Sequence, residues 1–350
     1  MLEIVCSPIS GGYFVSQLSI LTLILEAREK SPVVEKTFMD LYFGASGGGL
    51  ANILSSYFYK DRESILRVIQ FLDSDLFVKN WWKGKTSFID SKIVSIFGKT
   101  FFQEGSGANH LFEELEKSQN RRDLELWFLT FNIDTNKPAI SCTRKREDSR
   151  FSGLTVEDLE DHHCDDVIFL NNDIQNIVRT ALASASIPVL KDGVEINGNK
   201  YVDGGVANTT PFCYFTDSIN EKQDGKEIEH PYHYFYILPH KTDLKSEEGS
   251  FFTKILKNVI SFNMISDKNN TFNHWMHTIG RHKKEFSFEQ YSNIKLYELV
   301  DILSLNHSKN YFCVFYTDPT SVDITNFDGN DVREKFLSSL KTIHMEIYID

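Results

Sequence analysis

Two short apolar runs, each closed by small residues and followed by apolar positions at helical spacing, open the chain. Residues 2–6 form the first run; Pro8, Ser10, Gly11 and Gly12 then interrupt it, and an apolar segment starts at Phe14. Residues 37–43 form the second run, which ends at Gly44 and leads into Leu50, Ile53 and Leu54 at helical spacing. Two consecutive strand–turn–helix units predict an α/β fold with a parallel sheet.

The pattern continues along the chain. Asp61 is placed to cap a helix that carries Ile65, Leu66, Ile69 and Phe71 or Leu72. Residues 75–108 are aromatic and irregular, and residues 111–115 are helical in pattern. Residues 124–133 read as a strand, 134–138 carry turn chemistry, and 139–142 form the return strand of a hairpin. Residues 174–184 are helical, and Tyr201 and Val202 lead a short strand into Asp203, Gly204 and Gly205. Beyond residue 216, residues 217–229 read as a polar surface loop, 232–238 and 312–316 as buried strands, and 252–262 as a helix.

Composition narrows the class. At 350 residues the chain is long enough for a large core or about two domains, and 28 phenylalanines make that core aromatic-rich. A net charge of −12 argues against a general nucleic-acid binder and against simple adsorption to anionic lipid. The basic runs 144–146 and 281–284 read as solvated loops. Five cysteines, odd in number and without a C-x-x-C, predict a reducing compartment. No basic run marks a secretory leader, and the apolar stretch 14–25 is too short to span a bilayer. The expectation is a cytoplasmic protein that at most touches membranes peripherally.

Candidate chemistry lies in three elements. Gly44-Ala45-Ser46-Gly47-Gly48 is a G-x-S-x-G after a strand and before a helix. A serine nucleophile must project from a sharp turn, and glycines are needed where flanking side chains collide. The following helix adds partial positive charge near a developing oxyanion. No Walker-type Lys-Ser or Lys-Thr follows, which argues against a phosphate loop. Asp203-Gly204-Gly205 puts a carboxylate at a strand end with two glycines behind it. Residues 181–188, Ala-Leu-Ala-Ser-Ala-Ser-Ile-Pro, let a helix end pack closely on a neighbouring backbone; alone they indicate packing only.

In their chain order, 44–48, 181–188 and 203–205, the three elements resemble the patatin-like phospholipase family, most specifically through residues 177–188 and 201–211. The resemblance covers about residues 1–215, a catalytic core; 216–350 is a continuation of that domain or a small extension. It implies a three-layer α/β/α sandwich with a mostly parallel central sheet and a C-terminal mixed extension. It also implies a lipid acyl hydrolase, phospholipase A-like, with Ser46 as nucleophile and Asp203 as base, no catalytic histidine, no metal and no cofactor. Gly44, Gly47 and Gly48 would form the nucleophile elbow, Gly204 and Gly205 the aspartate loop, and Gly11 and Gly12 the oxyanion hole. The substrate would be a lipid or phospholipid, with transient membrane-surface contact.

The oxyanion loop departs from the family pattern of three glycines followed by Arg-Gly. It reads Cys6-Ser7-Pro8-Ile9-Ser10-Gly11-Gly12, with Ser10 nearest the absent arginine and Pro8 lacking an N–H. That motivates an alternative: a catalytically weak or inactive patatin-fold protein that binds lipid or a protein partner. A Ser-His-Asp esterase using His240 is a third reading, because its chain order matches α/β-hydrolases. His162, His163, Cys164, Asp165 and Asp166 suggest a metal cluster, but adjacent side chains converge poorly and a polar loop is favoured. The same holds for His274 and His277. Trp81, Trp82, Phe101 and Phe102 read as core packing in preference to a lipid-facing lid.

Overall fold

A computed structural model describes residues 2–31, 39–75, 107–118, 124–186, 193–207, 232–240, 251–280, 287–305, 308–318 and 329–349. The aromatic pairs at 81–82 and 101–102, the polar stretch 217–229, the basic run 281–284 and Cys213 lie outside the described residues.

Strand β1 (Leu2–Ser7) runs through the middle of the sheet. Ile4 and Cys6 face one apolar cluster and Val5 faces the other. A strand covered on both sides has no solvent face to write polar residues on, hence a run that is apolar from Leu2 to Cys6 but for one residue. Its one charged residue, Glu3, forms a buried ion pair with Arg28 of helix α1 (Phe14–Lys30). Arg28 also donates to the Tyr311 hydroxyl at 2.8 Å. Helix α1 is buried on nearly every side, with Leu18, Ile20, Leu21, Ile24 and Leu25 at most 1% exposed. An all-round apolar helix belongs inside.

The second unit is β2 (Met39–Ala45) followed by α2 (Gly47–Phe58), with β2 parallel to β1. Helix α3 (Arg62–Asp75) follows, and the Asp61 carboxylate accepts the Ser64 N–H at 3.0 Å, the expected cap. After α4 (Gly107–Lys117), β3 (Glu125–Asn132) and β4 (Lys137–Cys142) form the expected antiparallel hairpin. Then come β5 (Asp166–Phe169), α5 (Ile174–Ser184), β6 (Val194–Ile196) and β7 (Asn199–Asp203).

The remaining elements are β8 (Tyr232–Ile237), α6 (Phe251–Gly280), β9 (Ser287–Ile294), α7 (Leu296–Leu305), β10 (Tyr311–Thr317), α8 (Gly329–Ser339) and β11 (Ile343–Ile349). Helix α6 continues well past the expected residue 262.

The sheet order is β5-β4-β3-β2-β1-β8-β10-β11-β9, with β7 paired to both β3 and β6. Strands β3, β2, β1, β8 and β10 are mutually parallel, and antiparallel pairs occur toward both ends. The fold is therefore α/β with a mixed, mostly parallel central sheet. Strands β8, β10, β11 and β9, from the segment beyond residue 216, extend the same sheet outward from β1. On β10, Tyr311, Cys313 and Phe315 face one cluster while Phe312, Val314 and Tyr316 face the other. The first cluster joins residues of α1, α2, α5, α7 and α8; the second includes Met264 and Trp275 of α6.

Candidate active site

The candidate site forms at the carboxyl ends of the parallel strands, where open α/β sheets place their ligands. Strand β2 ends at Ala45, and Ser46 turns the chain into α2 with φ 55° and ψ −132°. A non-glycine residue there carries about 1–3 kcal/mol of strain, which persists only where the surroundings enforce it. The Ser46 side chain does not cap α2.

The flanking glycines are required by close approach. A Cβ at Gly44 would lie 2.5 Å from Gly49 Cα, and one at Gly48 would lie 2.1 Å from the Ser7 carbonyl oxygen. A Cβ at Gly47 would meet the Gly11 carbonyl oxygen and Ser10 Oγ, each at 2.7 Å. The loop 7–11 thus lies directly on the turn that carries Ser46. The first turn of α2 brings N–H groups without intrahelical partners to this point, with the positive end of the helix dipole.

Asp203 arrives from the opposite direction. Strand β2 occupies one edge of β3 as far as the pair Ala45–Leu129. Strand β7 runs antiparallel to β3 and ends at the pair Asp203–Thr130. The other edge of β3 is held by β4, so β2 and β7 share one edge and meet end to end there. Their last residues oppose neighbouring residues of β3, which are about 3.4 Å apart along a strand. Gly204 permits the meeting, since a Cβ there would lie 2.4 Å from the Leu129 carbonyl oxygen. Ser46 is 2% exposed and Asp203 3%. The Asp203 Oδ1 accepts the Gly205 N–H at 2.8 Å, which fixes the carboxylate on its own loop.

The carboxyl end of α5 ties the two together. The Ser46 N–H donates to Ser184 Oγ at 3.0 Å, and that hydroxyl donates to the Leu129 carbonyl at 2.6 Å. Two residues on, the Ser186 carbonyl accepts the Asp203 N–H at 2.9 Å. Residues 181–186, which the sequence marks only as close packing, therefore hold both loops. The available signal was a pair of serines spaced by two among alanines, at a helix end.

The loop 7–12 is anchored from below. Gln17, buried in α1, donates from Nε2 to the carbonyls of Pro8 and Ile237, each at 3.0 Å. Ser7 Oγ donates to Asn52 Oδ1 at 2.8 Å. On the other side Ile9 lies against Gly205, its Cδ1 2.5 Å from where a Cβ would stand. The same loop therefore touches both the serine turn and the aspartate loop. Gly11 has φ 51°, and Gly12 follows in the short turn Gly11–Tyr13.

Further along that turn, Tyr13 meets the His240 ring edge-on at 4.7 Å and lies under Lys335, whose Nζ is 4.1 Å from the ring centre. Lys335 is 3% exposed, and burial pushes its ammonium down to about 7. Asp165 and Asp166, from the candidate metal cluster, act as hydrogen-bond acceptors: Asp165 for Asn132 and Thr135, Asp166 for the Tyr201 hydroxyl. His274 and His277 lie on α6. Among the described residues no helix is long and apolar enough to cross a membrane.

No curated protein matches the chain. The model of the patatin-like phospholipase family matches residues 34–215, which takes in the serine turn, the α5 clamp and the aspartate loop and begins after the loop 7–12. That span is more than half of the 350 residues, and the chain belongs to the patatin-like phospholipase family.

Proposed function

We propose that this protein is a lipid acyl hydrolase of the phospholipase A kind in which Ser46 is the nucleophile and Asp203 its base. The observation that carries the reading is the end-to-end meeting of β2 and β7 on β3, which brings the strained Ser46 turn and the Asp203 loop to one point. As Ser46 Oγ bonds to the acyl carbon, its proton passes to the Asp203 carboxylate. The tetrahedral oxyanion is held by N–H groups at the start of α2 and by donors of the loop 7–12. When the intermediate collapses, the alcohol leaves with the proton from Asp203, and the acyl group stays on Ser46. Water then attacks the acyl carbon, giving its proton to Asp203. The fatty acid departs, and Ser46 regains that proton.

Burial supports a base this weak. An aspartate is a poor match for a serine proton in water, and excluding water strengthens every fixed dipole at the site. A fluorophosphonate probe tests the reading together with fatty-acid release from phosphatidylcholine micelles. Labelling and release are expected in the native chain and lost in Ser46→Ala and Asp203→Asn. Release that survives both substitutions would exclude this pair.

A second reading, a lipid-binding member of the family without turnover, is favoured by one observation. The Gly11 carbonyl, not an N–H, lies beside Gly47, and Pro8 has no N–H to give. Lipid binding with no probe labelling at any lipid concentration would establish it. For the Ser-His-Asp alternative the measurement is turnover of His240→Ala, which the Ser46–Asp203 reading expects to be retained.

A further inference from the structure

The loop 7–12 contains a hydroxyl that the fold does not use. Ser10 is 0% exposed, and among the described residues its Oγ has no hydrogen-bond partner. It stands at the N-cap of the turn Gly11–Tyr13, yet its side chain makes no capping bond. The carbonyl of Ser10 does that work instead, accepting the Tyr13 N–H at 3.0 Å. Leaving a buried hydroxyl unpaired destabilises the folded chain, and alanine would remove that cost without changing the backbone. A group kept under these terms in a closed site calls for a role outside packing.

Its position supplies one. Ser10 Oγ and the Gly11 carbonyl oxygen both lie 2.7 Å from the Cβ position of Gly47, the residue that follows Ser46. The carbonyl is an acceptor and repels an oxyanion. Pro8 has no N–H, and its carbonyl is held by Gln17. Ser10 brings to the Gly47 side of this turn a donor that has no hydrogen-bond partner among the described residues; Asn52 Nδ2, also without one, stands on the Gly44 side. A donor aimed in advance at developing charge, and not spent on a ground-state bond, is what oxyanion stabilisation requires.

We infer that the Ser10 hydroxyl donates to the oxyanion that forms on the acyl group at Ser46, beside the N–H groups at the start of α2. This rests on the reading of Ser46 as nucleophile. It turns the departure of this loop from three glycines and an arginine into a substitution of one kind of donor for another. The hydroxyl is idle in the resting enzyme and gains its partner only as the carbonyl oxygen takes on negative charge.

The test uses the full chain with a soluble p-nitrophenyl ester. Ser10→Ala is expected to lower kcat about 100-fold, the loss typical of one oxyanion donor, with little change in KM. Its thermal midpoint should equal or exceed that of the native chain, because an unpaired buried hydroxyl has been removed. The rate of fluorophosphonate labelling should fall in parallel, since phosphonylation builds the same charge. Ser10→Cys, close in shape but a poor donor, should lose turnover similarly and covers the case in which the alanine variant does not fold. Unchanged kcat in either folded variant overturns the inference, as does a loss in Ser10→Ala that follows a lowered midpoint while Ser10→Cys keeps full turnover. A native chain that neither turns over ester nor takes the probe sinks the Ser46 reading itself, and this inference with it.

Discussion

The backbone N–H of Ser46 is held by the side chain of Ser184, 138 residues away, at 3.0 Å. The same hydroxyl donates onward to the Leu129 carbonyl at 2.6 Å. One buried side chain therefore accepts from the serine turn and donates to the strand against which Asp203 pairs. Ser184→Ala leaves both the Ser46 N–H and the Leu129 carbonyl without this partner in a closed site. We expect it to lower the unfolding free energy by about 1–3 kcal/mol and to reduce kcat more than it changes KM. Denaturant unfolding and steady-state kinetics on one preparation check both parts.

Strain at Ser46 predicts a difference in stability that activity does not share. The residue sits at φ 55°, where glycine is at ease and alanine is not. Ser46→Gly should be more stable than Ser46→Ala by about 1 kcal/mol, while the proposed role of Ser46 as nucleophile predicts that neither variant turns over ester. Equal unfolding midpoints for the two variants would remove the strain argument.

Gly48 and Gly204 are fixed by backbone, not by flexible side chains. An added methyl would meet the Ser7 carbonyl at 2.1 Å and the Leu129 carbonyl at 2.4 Å, respectively. Gly48→Ala must push the loop 7–8 off α2, and Gly204→Ala must part β7 from β3. Both should lose turnover and show lower midpoints. Gly153→Ala serves as control, since a Cβ there meets nothing within 4 Å.

Lys335 predicts a pH dependence whose sign follows from its burial. Its ammonium is pushed down to about 7 in the folded chain, against roughly 10.4 when unfolded. Between those values the unfolded chain binds the extra proton, so this residue's contribution makes stability rise with pH. Lys335→Met should therefore raise the midpoint most near and below pH 7. That advantage should shrink as pH approaches 9. Thermal melts of the two proteins across this range measure the difference directly, and a constant gap contradicts the assignment.

Val206 is 48% exposed, three residues after the buried Asp203. An apolar side chain at that place suits contact with a lipid surface. Val206→Asp is expected to reduce release from phosphatidylcholine vesicles several-fold and to leave turnover of a soluble ester near the native level. Equal losses on both substrates would assign the residue to the site's interior instead.

Much of the architecture was legible because burial imposes a period. The runs at 2–6, 232–238 and 312–316 became central strands because a strand covered on both faces carries few polar residues. Strand β11 was not predicted, although Ile343, Met345, Ile347 and Ile349 are buried and alternate with half-buried neighbours at a period of two. Strand β5 was hidden, because Asp166 at its start was read with His162 and His163 as one polar loop. The length of α6 was hidden as well, since its polar residues after 262 carry no stop signal that a periodicity count detects.

By itself the sequence determined the local chemistry: a serine between glycines where a strand gives way to a helix, an aspartate before two glycines at another strand end, and small residues closing α5. These features are local because they answer to backbone sterics within a few residues. Only the tertiary structure decided that β2 and β7 share one edge of β3, that Ser184 and Ser186 clamp the two loops, and that the Ser10 hydroxyl lies against Gly47 without a hydrogen-bond partner among the described residues. Those relations depend on strand register and on contacts between residues far apart in the chain, and a single sequence encodes register only through the whole core that the fold buries.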